Sequence, residues 1–189
     1  YYFYIVYLKF AVIRSVRASE DYCCVSNGRA EAIVGRGSFT ESYPLFGYDT
    51  KDYDLLFEEK LDLFAKLVRD QEVSWQGQTR TGLERARIQP PLSPQGMTVW
   101  VGVGGSPESV VRVVRQDLRL MLAIIGGDPR RFLPYIDLYK RACAQLDGGV
   151  AIAVNGALGN NLKVVELKNG HRNLGSVLKK QSVMPNFFA

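Results

Sequence analysis

Residues 98–112 read TVWVGVGGSPESVVR. An unbroken apolar run, residues 98–103, meets Gly104 and Gly105 and then Ser106 and Pro107. A run with no polar alternation suits a strand buried on both faces, as in a parallel sheet. Serine followed by proline marks a helix start: the hydroxyl caps free N–H groups, and proline takes the first helical position, where its missing N–H does no harm. The stretch therefore reads as strand, glycine turn, helix.

The same order recurs on both sides. Upstream, residues 30–34 (AEAIV) lead into Gly35, Arg36, Gly37 and Ser38. Downstream, residues 118–125 (LRLMLAII) lead into Gly126, Gly127, Asp128 and Pro129, and a weaker run at 150–154 follows Gly148 and Gly149. Between them lie amphipathic segments. Residues 49–70 (DTKDYDLLFEEKLDLFAKLVRD) place Tyr53, Leu56, Phe57, Leu61, Phe64 and Leu67 on one helical face. Asp49 or Thr50 caps that helix, and Asp62 is spaced to pair with Lys66. Asp128 and Pro129 repeat the start signal before an apolar stripe from Phe132 through Ile136, Tyr139 and Cys143 to Leu146, with Pro134 near the first turn. Strand–helix units in series predict an α/β fold with parallel strands and crossover helices. Residues 74–96 break the rhythm: they are polar, rich in Gly, Pro and Gln, and longer than an ordinary loop, which marks a functional excursion. Near the end, Asn169-Gly170 between residues 162–167 and 174–178 is a hairpin signal.

Composition narrows the function classes. A chain of 189 residues with 47% hydrophobic and 23% charged residues has enough material for a core and is not disordered. A net charge of +5 is compatible with an anionic partner without choosing one. The basic residues near the end (Lys163, Lys168, Arg172, Lys179 and Lys180) read as a solvated face, and no nucleic-acid partner is expected. The opening apolar run, residues 1–13, is too short to span a membrane and lacks the features of a signal peptide; it reads as a buried strand or as a segment foreign to the rest. Cys23, Cys24 and Cys143 have no metal-ligand spacing and read as buried thiols of a reducing compartment, with a cytoplasmic location expected. His171 is the only histidine and reads as a surface residue, so neither a metal site nor a Ser-His-Asp triad is expected.

Ligands of parallel α/β folds bind at the C-terminal strand ends. Gly104, Gly105 and Ser106 at a helix start combine close backbone approach, free N–H groups and the positive end of a helix dipole, which suits a phosphate. Ser106 and Ser109 add hydroxyls, and Arg36, after the preceding apolar run, adds a bidentate guanidinium. Plainer roles compete: Ser106 as a helix cap, Arg36 as an exposed turn residue, Ser109 as an exposed helix residue. Gly102 and Gly104 begin a dinucleotide fingerprint, but Pro107 occupies its third glycine position, which disfavours a nicotinamide site. Glu108 must point outward to avoid repelling an anion. Asp128, Glu41 and Tyr43 each have a structural role, and no catalytic acid–base pair or nucleophile emerges, as suits a reaction carried by a cofactor.

Longer motifs add a resemblance. SNGRAE (26–31), GRGSFTES (35–42), PLFGYD (44–49), FEEKLDLF (57–64), Trp75 with Gly77, VWVGVGGSPESVVR (99–112) and LMLAIIGGDPRRF (120–132) resemble, in order, the middle of the bacterial-luciferase-like flavin monooxygenases. The resemblance implies part of a (β/α)₈ TIM barrel that binds FMN, or in some relatives a deazaflavin, at its C-terminal strand ends. It implies that Arg36, Ser106 and Ser109 hold the flavin phosphate, with Gly104 and Gly105 beside the cofactor, and that reduced flavin activates O2 to oxidise a small organic substrate, with a flavin reductase as electron source. On this basis residues 1–25 form an atypical N-terminal segment, 26–146 the barrel core with an insertion at 74–96, and 147–189 a divergent C-terminal segment. A full barrel needs more units, so the chain reads as a truncated or frame-disrupted member. An open half-barrel exposes strand edges, which predicts homo-oligomers, weak stability alone, or loss of activity; a non-catalytic flavin binder is the alternative.

Overall fold

The computed structural model describes residues 2–7, 11–37, 40–89, 91–93, 96–124, 128–145 and 152–156. Gly126-Gly127, Ser38-Phe39, Leu146, His171, the hairpin expected around Asn169-Gly170 and the basic residues from Lys163 to Lys180 lie outside them. The chain divides into two compact units, Tyr1–Gly102 and Val103–Ala189. The fold is α/β with parallel strands, as the recurring strand–glycine–helix order predicts.

In the first unit, strand β1 (Tyr2–Tyr7) lies parallel to β2 (Ala30–Gly35), in register from Tyr2 opposite Ala30 to Tyr7 opposite Gly35. Helix α1 (Val12–Val25) connects them, so the opening run enters the sheet as the strand of a βα unit. No helix is expected there from the sequence pattern, and the buried face explains why. It consists of Val12, Ser15, Val16, Ser19, Glu20 and Cys23, so half of it is polar and no apolar period shows. The polar groups are satisfied by hydrogen bonds, two of them within the helix and one to a distant segment. Ser15 and Ser19 donate to the carbonyls of Ala11 (3.3 Å) and Ser15 (2.9 Å), and Glu20 accepts the Ser93 N–H at 2.5 Å. The thiols also divide: Cys23 and Cys143 are buried, but Cys24 faces solvent, against the expectation of buried thiols.

After β2 come three short 3₁₀ turns (Thr40–Ser42, Pro44–Phe46 and Thr50–Asp52), which carry the chain to helix α2 (Tyr53–Arg69). Asp49 caps the last turn by accepting the Lys51 N–H, so the α-helix proper starts later than its cap signal. Leu56, Phe57, Leu61, Phe64 and Leu67 are buried as predicted, while Tyr53 is half-buried and Lys60 joins the buried face. Asp62 pairs with Lys66 at 3.0 Å and also accepts the Trp75 indole N–H at 2.8 Å. The excursion at 74–96 contains the antiparallel pair β3 (Val73–Trp75) and β4 (Leu83–Ala86). Gly77 belongs there by necessity, because a Cβ would sit 2.1 Å from the Trp75 ring. Strand β5 (Val99–Val103) then pairs parallel with β2 from Ala32 opposite Val99 to Val34 opposite Val101.

In the second unit, helix α3 (Pro107–Arg115) leads to strand β6 (Arg119–Ile124). A 3₁₀ turn (Pro129–Phe132), capped by Asp128, precedes helix α4 (Leu133–Gln145), and strand β7 (Ile152–Gly156) lies parallel to β6. The Asp128-Pro129 signal thus starts a 3₁₀ turn, with the α-helix beginning at Leu133. Val110 and Val113 of α3, Leu120, Met121 and Leu122 of β6, Phe132, Ile136 and Tyr139 form the buried core, and the Tyr139 hydroxyl donates to the Leu118 carbonyl at 3.2 Å.

Candidate functional site

The turn between β5 and α3, with the first turn of that helix, holds four of the five expected cofactor residues. Gly105 has φ +117°, a conformation that side chains other than glycine rarely adopt. Its carbonyl accepts the Tyr135 hydroxyl at 2.7 Å, which pins the turn to α4. Gly104 is exposed, with open space where a Cβ would stand.

Ser106 caps α3 as its sequence predicts, its Oγ accepting the Ser109 N–H at 3.1 Å. The two serine hydroxyls lie 3.0 Å apart. Ser109 is buried, at 7% exposure, which removes the plainer reading of it as an exposed helix residue. Arg112, one turn on, donates from Nη1 to the Ser109 Oγ at 3.2 Å. Arg112 carries no motif signal in the sequence beyond its i, i+3 spacing from Ser109. Glu108 is exposed, but its carboxyl accepts from the Ser106 hydroxyl and so does not point clear of the expected anion site. Its own backbone N–H, then the Ser106 hydroxyl and the Arg112 charge, hold its carboxyl below the usual range.

Arg36 belongs to the first unit, just beyond the C-terminal end of β2. It is not a loose turn residue. Its Nη1 lies 2.5 Å from Asp54 in the first turn of α2, and its guanidinium carbon sits 5.4 Å and 5.5 Å from the ring centres of Tyr53 and Phe57. The Tyr53 hydroxyl donates to the Gly37 carbonyl at 3.0 Å. Burial pushes the buried Tyr43 hydroxyl up, neighbouring Tyr53 adds to this, and Arg36 opposes it. Glu41 is exposed in its 3₁₀ turn.

Among the described residues no group of His, Cys, Asp and Glu could hold a metal ion, and no helix is long and apolar enough to cross a membrane.

The sequence profile of the luciferase-like monooxygenases matches residues 23–158. The chain belongs to the luciferase-like monooxygenase family. A comparison with curated proteins found no match. Among solved structures, the chain is similar to the monooxygenase RslO1 from Streptomyces bottropensis (15% identity, TM-score 0.68, covering 78% of this chain and 46% of that one). It is similar to an F420-dependent secondary alcohol dehydrogenase in complex with an F420-acetone adduct (14%, TM-score 0.63, 78% and 46%). It is also similar to the FMN-bound oxygenating constituent of 3,6-diketocamphane monooxygenase from Pseudomonas putida (13%, TM-score 0.59, 78% and 44%). At these identities the likeness shows the fold: this luciferase-like chain is part of a (β/α)₈ barrel and spans about half the length of the structures it matches.

The residues at the α3 start fit a flavin phosphate by their chemistry. Two hydroxyls and a guanidinium one turn on are donors suited to an oxyanion, and the open side of Gly104 leaves room for backbone approach.

Proposed function

We propose that this chain binds FMN through the start of α3 and serves a flavin-dependent oxidation of a small organic substrate by O2. The observation that carries this reading is the cluster of Ser106, Ser109 and Arg112 behind the Gly104-Gly105 turn. When bound and reduced, FMN would supply the electrons for O2 activation. The protein's part is then to hold and orient. The Ser106 and Ser109 hydroxyls donate to the phosphate, Arg112 offsets its charge, and Gly105 keeps the turn that leads into them. In the sequence-based expectation Arg36 contributes a second guanidinium. No residue of this chain is assigned as catalytic, a flavin reductase is the expected electron source, and self-association is part of the reading. A cytoplasmic location is part of it too, supported by three free cysteines.

A deazaflavin coenzyme presents the same phosphate chemistry to α3 and is the alternative cofactor. A flavin binder without turnover is the second functional reading, since the donors at the α3 start would hold a phosphate whether or not turnover follows.

Quenching of FMN fluorescence during titration with the full chain tests binding. Ser109→Ala and Arg112→Ala should each weaken affinity by about tenfold. Unchanged affinity in both removes the α3 start as the phosphate subsite, and unchanged affinity in Arg36→Ala removes Arg36 from it. Oxygen consumption driven by a flavin reductase with a long-chain aldehyde separates the monooxygenase from the binder.

A further inference from the structure

The peptide that joins Gly105 to Ser106 is held from outside its own turn. The Gly105 carbonyl accepts the Tyr135 hydroxyl at 2.7 Å, from a residue 30 positions along the chain in the first turn of α4. Tyr135 is half-buried, and its ring packs on that of the buried Phe132, with centres 5.9 Å apart and planes at 59°. A Cβ at Gly105 would stand 3.6 Å from the Tyr135 ring and 3.8 Å from that of Phe132, so the two aromatics wall one side of the turn. The hydroxyl is therefore delivered by a packed side chain rather than a loose one.

The bond matters because of how a peptide is built. The carbonyl and the N–H of a trans peptide point in opposite directions. With the Gly105 carbonyl directed to α4, the Ser106 N–H is directed away from it. Glycine also tolerates either sign of φ, so a peptide beside it turns over more readily than one between residues with side chains. Turned over, the Gly105-Ser106 peptide would present an oxygen where it now presents an N–H. An anion is repelled by the first and bound by the second.

We propose that Tyr135 is a positioning residue of the anion subsite at the α3 start: its hydroxyl holds the Gly105 carbonyl away from the phosphate and so keeps the Ser106 N–H turned towards it. The role rests on the reading of that subsite as the place of the flavin phosphate. Tyr135 acts through the peptide rather than on the phosphate, and a donor set before the ligand arrives spares part of the ordering cost of binding.

Fluorescence titration of the full chain with FMN and with riboflavin, which lacks the phosphate, tests this. The unmodified chain should prefer FMN. Tyr135→Phe removes the hydroxyl and keeps the ring; it should weaken FMN by about tenfold and leave riboflavin unchanged, so the preference falls by the same factor. Tyr139→Phe removes the hydroxyl that donates to the Leu118 carbonyl one turn further along α4, and it should leave the preference as it is. A preference unchanged in Tyr135→Phe, or lost equally in Tyr139→Phe, overturns the role of Tyr135 and leaves the flavin reading standing. Equal binding of FMN and riboflavin by the unmodified chain, or no binding of FMN, overturns the phosphate reading and the role of Tyr135 with it. A second measurement needs no variant: the Ser106 amide resonance of the unmodified chain should move downfield on adding FMN but not riboflavin. A Ser106 amide that does not respond to bound FMN also overturns the proposal.

Discussion

Lys60 shows what burial does to a charged side chain. Its burial pushes the ammonium from the ordinary lysine value of 10.5 down to about 8, so the folded protein binds fewer protons than the unfolded chain between those values. The stability cost is therefore full below pH 8 and is relieved as pH rises towards 10.5. Lys60→Met should stabilise the protein at pH 7 by about 1–3 kcal/mol, an advantage that shrinks over that interval; chemical denaturation at several pH values checks it. At Gly105 the backbone itself is the constraint. With φ at +117°, Gly105→Ala should cost about 1–3 kcal/mol and disturb FMN binding, whereas Gly104→Ala, with open space around it, should cost little stability. Thermal melts of the two variants distinguish them. Gly104 and Gly105 look alike in sequence; only the backbone angle separates a required glycine from a permissive one.

At the scale of elements, Glu59 ties α2 to the excursion. Burial pushes its carboxyl up, but the N–H groups of Gln78 and Thr79 and the Thr79 hydroxyl outweigh that and hold it below its ordinary value. A lowered folded pKa contributes stability that is present above the unfolded value of 4.5 and is lost as pH falls below it. Glu59→Ala should loosen the segment around Gln78 and Thr79, seen as faster tryptic cleavage at Arg80 and Arg85, and acidification below pH 4.5 should loosen the same segment in the parent. Unchanged cleavage in the variant would mean that β3 and β4 hold the excursion without this contact. Helix α2 was legible because its apolar residues recur at helical spacing. Helix α1 was not, because Ser15, Ser19 and Glu20 share its buried face and satisfy themselves through hydrogen bonds that a hydrophobic pattern does not record.

At the scale of the whole molecule, the chain covers 46% or less of the length of the structures it resembles. In the first unit β1 pairs with β2 alone among the described residues, and an edge strand offers backbone groups to another chain, so we propose self-association. Light scattering coupled to size exclusion should give a mass above the 21.2 kDa of one chain at micromolar concentration; a monomer that retains FMN binding would show that assembly is dispensable for it.

The sequence by itself determined the α/β class, the positions of β2, β5 and β6, the Ser106 cap and the family, because these rest on local patterns: apolar runs, turn residues and motif order. It left undetermined the helix after β1, the burial of Ser109 beside Arg112, the pairing of Arg36 with Asp54 and the hold of Tyr135 on Gly105. These were decided by tertiary structure, since burial and partner choice depend on residues far apart in the chain meeting in space, and no local period encodes such meetings.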